Sequence, residues 1–301
     1  MKFTKTAVAV AIAGIAAAPM IATADTTLSG DVQLQIKGSD ADGDAGDAQI
    51  AAGDVLFGLV AEHELNSGLT GYGSLRFDYD ALSNAGGSAV DAAGDAVKGG
   101  PSGDSVYVGV KGGFGDLRVG EIPLAVEYGQ VANDIFDVGA EINGGISYTG
   151  SFGPVGLIAN YSPAPNQDAM GVGVKFGMGG FNIGLGAEDR DELMNASAGV
   201  SFGYAGASIA LHYWTMEAAA GADDLTSIAA KVGYDFGDVS AALTYATQTD
   251  DGAVDESAIR LDLGYGLGGG MEISTRITAG TDENDDNNDQ TDWRIQLAKS
   301  F

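Results

Sequence analysis

Along most of the chain, apolar and polar residues alternate at every second position. Leu28, Val32, Leu34 and Ile36 share one parity, while Gln33, Gln35 and Lys37 take the other. Leu75, Phe77 and Tyr79 oppose Ser74, Arg76 and Asp78, and Ile259, Leu261, Leu263 and Tyr265 oppose Arg260 and Asp262. Met271, Ile273 and Ile277 oppose Glu272, Ser274 and Arg276, and Trp293, Ile295 and Leu297 oppose Arg294 and Gln296. A period of two is that of a β-strand with one greasy and one wet face. No helical stripe interrupts this pattern after residue 24.

The connections fall into two kinds. Tight, glycine-rich ones lie at Asn66-Ser67-Gly68, Gly113-Phe114-Gly115, Ser151-Phe152-Gly153, Met178-Gly179-Gly180, Tyr204-Ala205-Gly206, Gly237 and Gly268-Gly269. These suit hairpin turns. Between them come longer, mostly more acidic stretches near 38–53, 80–103, 122–142, 163–167, 189–192, 217–224, 249–255 and 281–289. Seven turns and eight loops separate about sixteen strands of roughly ten residues, a length suited to crossing a bilayer at a tilt. A soluble sandwich would bury the apolar faces against each other and leave no place inside for arginines. A membrane barrel sets them against lipid around a wet interior, and closure satisfies every strand edge. The expected fold is therefore all-β: a closed antiparallel transmembrane barrel with short periplasmic turns and long extracellular loops.

The first 24 residues follow another rule. Lys2 and Lys5 precede an apolar run, Ala7 to Ala18, and Ala22-Thr23-Ala24 fits a small-x-small cleavage site. This predicts an export signal over 1–24 and a barrel domain over 25–301. Without that leader, 12 basic residues face 42 acidic ones, a formal charge of −30. Such a chain attracts cations and lacks the basic surface that nucleic acid requires. It has no cysteine and 48 glycines, so no disulfide staples it.

Two patches carry a family resemblance. The last strand, Trp293-Arg294-Ile295-Gln296-Leu297-Ala298-Lys299-Ser300-Phe301, resembles the C-terminus of bacterial outer-membrane barrels, with Lys299 where many members carry an aromatic. There Phe301 would be the signal read by the assembly machinery. Residues 118–136 hold Arg118-Val119-Gly120-Glu121-Ile122-Pro123, Glu127-Tyr128-Gly129 and Asn133-Asp134-Ile135-Phe136. This is similar to the constriction loop of the trimeric, sixteen-stranded general porins of Gram-negative outer membranes. The resemblance implies a third loop folded into the pore, a homotrimer embedded in lipid and lipopolysaccharide, and a transverse field across the waist. Glu121, Glu127, Asp134 and Asp137 would supply its negative side. The basic residues on the polar parity, Lys37, Arg76, Arg118, Arg260, Arg276 and Arg294, would supply the positive side. No reaction is expected. The function implied is a water-filled channel for passive diffusion of ions and small hydrophilic solutes, and the net charge predicts a preference for cations.

Other signals are weaker. Gly199-Val200-Ser201-Phe202-Gly203 matches a nucleophile elbow but ends a strand at a hairpin, away from the strand-to-helix turn that motif needs. The glycines at 264, 266 and 269 match a dinucleotide fingerprint but precede a strand. Acidic stretches containing Asp40, Asp42 and Asp44, and Asp285 and Asp286, are incomplete calcium loops. They offer at most loose Ca²⁺ or Mg²⁺ binding, with no cofactor otherwise expected. Tyr72, Tyr79, Tyr107, Tyr148, Tyr161, Tyr213, Trp214, Tyr234, Tyr245 and Trp293 are candidates for interfacial girdles, with some expected instead at a subunit contact or in the lumen. A substrate-selective channel, an outer-membrane enzyme barrel and a soluble secreted calcium-binding β protein remain as alternatives.

Overall fold

The computed structural model describes residues 25–41, 44–45, 48–65, 67–79, 101–132, 135–136, 142–164, 167–190, 193–217, 224–250, 253–282 and 290–301. The leader, Asp42, Asp134, Asp137, Asp285 and Asp286 lie outside these residues, as does the side chain of Asp44.

Alternation translates directly into strands. They are β1 (Asp25–Ala41), β2 (Asp44–Ala45), β3 (Gln49–Glu64), β4 (Thr70–Tyr79), β5 (Pro101–Gly112), β6 (Gly115–Ile122), β7 (Ile142–Phe152), β8 (Val155–Ala164) and β9 (Gln167–Met178). There follow β10 (Phe181–Arg190), β11 (Leu193–Tyr204), β12 (Ala207–Glu217), β13 (Leu225–Asp235), β14 (Val239–Asp250), β15 (Ala253–Gly268), β16 (Met271–Asp282) and β17 (Gln290–Ser300). Each long strand pairs antiparallel with the next, and β1 pairs with both β3 and β17, which closes the ring. The two-residue β2 only folds back on the end of β1, so sixteen strands go round. The barrel expected from alternation is the barrel observed.

Register puts like with like. Leu34, Ile36 and Gly38 face Leu297, Ile295 and Trp293 across the closing seam, while Gln35 and Lys37 face Gln296 and Arg294. Ile209, Leu211 and Tyr213 project outward and are about half exposed, whereas the alternate His212 and Trp214 are buried on the inner side. An outward belt of this kind suits acyl chains. Among the described residues no helix is long and apolar enough to cross a membrane; strands do the crossing.

One expectation needs correction. Several loops are shorter than alternation suggested: β8 and β9 leave only 165–166 between them, and β10 and β11 only 191–192. Ladder hydrogen bonding extends past the last apolar residue, because pairing needs no greasy side chain. Of the aromatics left open between girdle, subunit contact and lumen, Tyr72, Tyr107 and Trp214 point inward. The Tyr72 hydroxyl donates to Asp116 at 2.6 Å, and its ring meets Tyr107 edge-on at 6.1 Å. Turn chemistry follows the sequence: at Ala205-Gly206 both residues have positive φ, 50° and 85°, the combination a two-residue hairpin requires.

Candidate functional site

After β6 the chain leaves the wall and folds inward. Residues 123–132 cross the lumen face of β9, β10 and β11, with a 3₁₀ turn over Val126–Gly129. Leu124, Ala125 and Val126 are almost fully buried there. The chief buried apolar cluster among the described residues, Ile122, Leu124, Val126, Ile142, Ala169 and Trp214, is the underside of this loop. A barrel of this size has no central core, so its buried apolar contacts gather where the loop meets the wall.

What seats the loop is an absence of side chains. Gly171 and Gly173 on β9, Gly184 and Gly186 on β10 and Gly199 on β11 all lie on the lumen face. A Cβ at any of them would run into residues 125–131. At Gly184 the obstacle is the Tyr128 carbonyl, and at Gly186 those of Ala125 and Val126. Three polar groups then fix the loop. The Glu188 carboxyl accepts the Ala125 backbone N–H and the Asn160 amide through one oxygen, both at 3.0 Å. Asn160 also donates to the Pro123 carbonyl at 3.0 Å, and the Ser197 hydroxyl donates to the Val126 carbonyl. Glu188 is 2 % exposed, and Arg190 stands 3.6 Å from its other oxygen. Burial lifts the Tyr128 hydroxyl on the loop above its ordinary ionisation range, while the Lys175 ammonium sits 4.5 Å from its ring.

The structure divides the sequence-derived basic residues into two groups. Arg76 and Arg118 share a hollow of about 380 Å³ with Glu121 and Glu127 of the loop region. Arg76 pairs with Asp104, and the Arg118 guanidinium lies 3.9 Å from the Tyr107 ring centroid. This hollow brings both signs together. Lys37, Arg260, Arg276 and Arg294 form the other group on β1 and β15–β17. The hollows they line include no residue of 121–132. Asp262 joins Arg276 at 2.6 Å and Arg260 at 2.8 Å.

Phe301 seals the closing seam. Its N–H and carbonyl both pair with Gly30, and its ring lies 6.3 Å from that of Phe57 on the outer face. Among the described residues no three His, Cys, Asp or Glu side chains could hold a metal ion. Sequence reasoning passed over the loop anchors Glu188, Asn160 and Ser197. It also passed over the lumen cations Lys175 and Arg190, which extending the parity rule to β9 and β10 would have found.

A closed barrel that is greasy outside, polar inside and narrowed by an internal loop is an outer-membrane channel. The Gram-negative porin profile matches residues 6–288, and the chain belongs to that family of non-enzymatic channels. Over 193 residues, 57 % of this chain, it is 30 % identical to a monosaccharide porin of a Halomonas species and equally to the major outer membrane protein of Halomonas elongata. That match covers 49 % of each, so the chain spans about half the length of the curated relatives it matches. In fold it is similar to a loop L8 deletion mutant of OmpT from Vibrio cholerae, with TM-score 0.72 and 17 % identity over 93 % of this chain and 100 % of that one. An anion-selective porin from Comamonas acidovorans gives TM-score 0.71 and 17 % identity, over 92 % and 100 %. These structural likenesses bear on the fold alone.

Proposed function

We propose that the chain forms a homotrimeric, cation-preferring channel through which ions and small hydrophilic solutes diffuse passively. The observation that supports this is the seating of residues 123–132 against one wall by a glycine floor, which narrows the lumen on that side, while among the described residues none of 121–132 lines the hollows beside β1 and β15–β17. A pore needs only a wet hole of limited width and a field within it. Glu121 and Glu127 beside Arg76 and Arg118 suit the field, and the formal charge of −30 suits cation enrichment. Neutral monosaccharides fall within the solute class; a Halomonas relative is described as a monosaccharide porin. Residues 1–24 are proposed to be an export leader.

Reconstitution into planar bilayers tests this. The expected record is conductance in steps of three, with proteoliposomes swelling in monosaccharides and much less in larger oligosaccharides. A purified, folded protein that never conducts would end the proposal.

A further inference from the structure

We propose that the basic side chains on β1 and β15–β17 form a binding site, within the channel proposed above and dependent on that reading, for small hydroxylated anions of the sugar-acid class. Across adjacent strands Lys37 stands opposite Arg294, Arg294 opposite Arg276, and Arg276 opposite Asp262. Like charges directly opposite one another weaken a sheet. One carboxylate, Asp262, serves both Arg276 and Arg260. Lys37 and Arg294 have neither a hydrogen bond nor an ion pair among the described residues. Lys37 and Arg294 thus stand on this wall without a direct anionic partner among the described residues, and Asp262 and Asp54 act on Arg294 only at longer range.

The space beside them fits a ligand. Two hollows of about 490 and 480 Å³ meet at Arg276 and Arg294, within the range of small-molecule sites. Guanidinium groups take a carboxylate through paired N–H donors. The second feature of the site is an acceptor. The side-chain oxygen of Gln296, two residues along β17 from Arg294 and opposite Gln35, is buried without a partner. An orphan acceptor calls for a donor, and a hydroxyl on the same molecule as the carboxylate provides one. A bare inorganic anion answers only the cations, and a neutral sugar only the glutamine.

Single-channel recordings at about 0.1 M KCl, where surface fields still reach roughly 10 Å, test the assignment with glucuronate, inorganic phosphate and glucose. Glucuronate should reduce the current saturably, at a concentration about tenfold below phosphate and further below glucose. Lys37→Gln with Arg294→Gln should raise its half-blocking concentration about tenfold or more. Gln296→Leu should weaken glucuronate but leave phosphate block in place. Arg76→Gln, in the other hollow, should shift glucuronate block far less than the double variant. Equal, unsaturable effects of glucuronate and glucose would overturn the site, as would a half-blocking concentration unmoved by the double variant. Phosphate as potent as glucuronate would overturn the sugar-acid class. Because KCl current is read in the same trace, a conducting channel without block rejects this inference alone, whereas a silent wild-type protein rejects the channel reading.

Discussion

Glu188 holds the third loop by one buried oxygen that receives two N–H groups, from Ala125 and Asn160. Hydrogen bonds to such a group contribute about 1.5–3 kcal/mol each, and leaving their donors buried and unpaired costs more. Glu188→Ala should therefore free the loop: current noise rises and larger oligosaccharides begin to pass in swelling assays. Glu188→Gln keeps an acceptor oxygen and should stay close to wild type. Equal behaviour of the two variants would mean that the carboxyl does not anchor the loop. The neighbouring glycines make a complementary case. Gly186→Val drives a branched side chain into the Ala125 and Val126 backbone, and overpacking of this kind costs about 1–3 kcal/mol. The loop is pushed toward the pore axis, so single-channel conductance should fall, whereas an unchanged conductance would show that the loop is not seated there.

At the scale of the strand, the period-two pattern makes the barrel legible in the sequence. It gave both faces of β1, β4 and β15–β17, and the hairpin turns fell at the glycine-bearing tight connections. Loop seating was not legible. Gly173 and Gly186 look in sequence like any strand glycine; only their stacking on adjacent strands under residues 125–131 turns them into a floor. Glu188 borders the acidic stretch 189–192 in the sequence, and only the continuation of β10 to Arg190 places it in the strand. Trp214 stays open between girdle and lumen in the sequence for a related reason, since alternation fixes its face only once the phase of β12 is known. The C-terminal strand offers a prediction of its own. Phe301 ties the last strand to the first through two backbone hydrogen bonds with Gly30, each worth about 1 kcal/mol. Deleting Phe301 should slow closure of the barrel by up to about tenfold, read as the rate of folding into lipid vesicles from denaturant. A deletion variant that folds at the wild-type rate would confine Phe301 to the finished barrel.

For the whole molecule, the sequence divides charge unevenly between connections and strands, and the cation preference proposed here should therefore depend on salt. The long stretches between strands are acidic in sequence, as in 283–289 with Glu283, Asp285, Asp286 and Asp289. Lys37, Arg118, Arg260, Arg276 and Arg294 instead lie on the strands themselves. Solvated acids act through open water, so their reach shrinks from about 30 Å at 0.01 M salt to about 3 Å at 1 M. Basic groups lining the lumen act at contact range on whatever passes, and Arg260 is buried in the wall at 3 % exposure. Partly buried charges are screened much less than exposed ones. Cation preference should therefore be strongest in dilute KCl and decline steeply as salt rises, measured by reversal potentials across a fixed concentration ratio. Because they sit inside, Lys37→Gln with Arg294→Gln should raise the cation preference chiefly at high salt, where the solvated acids are screened. A reversal potential that favours chloride already in dilute salt would show that the wall, and not the loops, governs which ions enter.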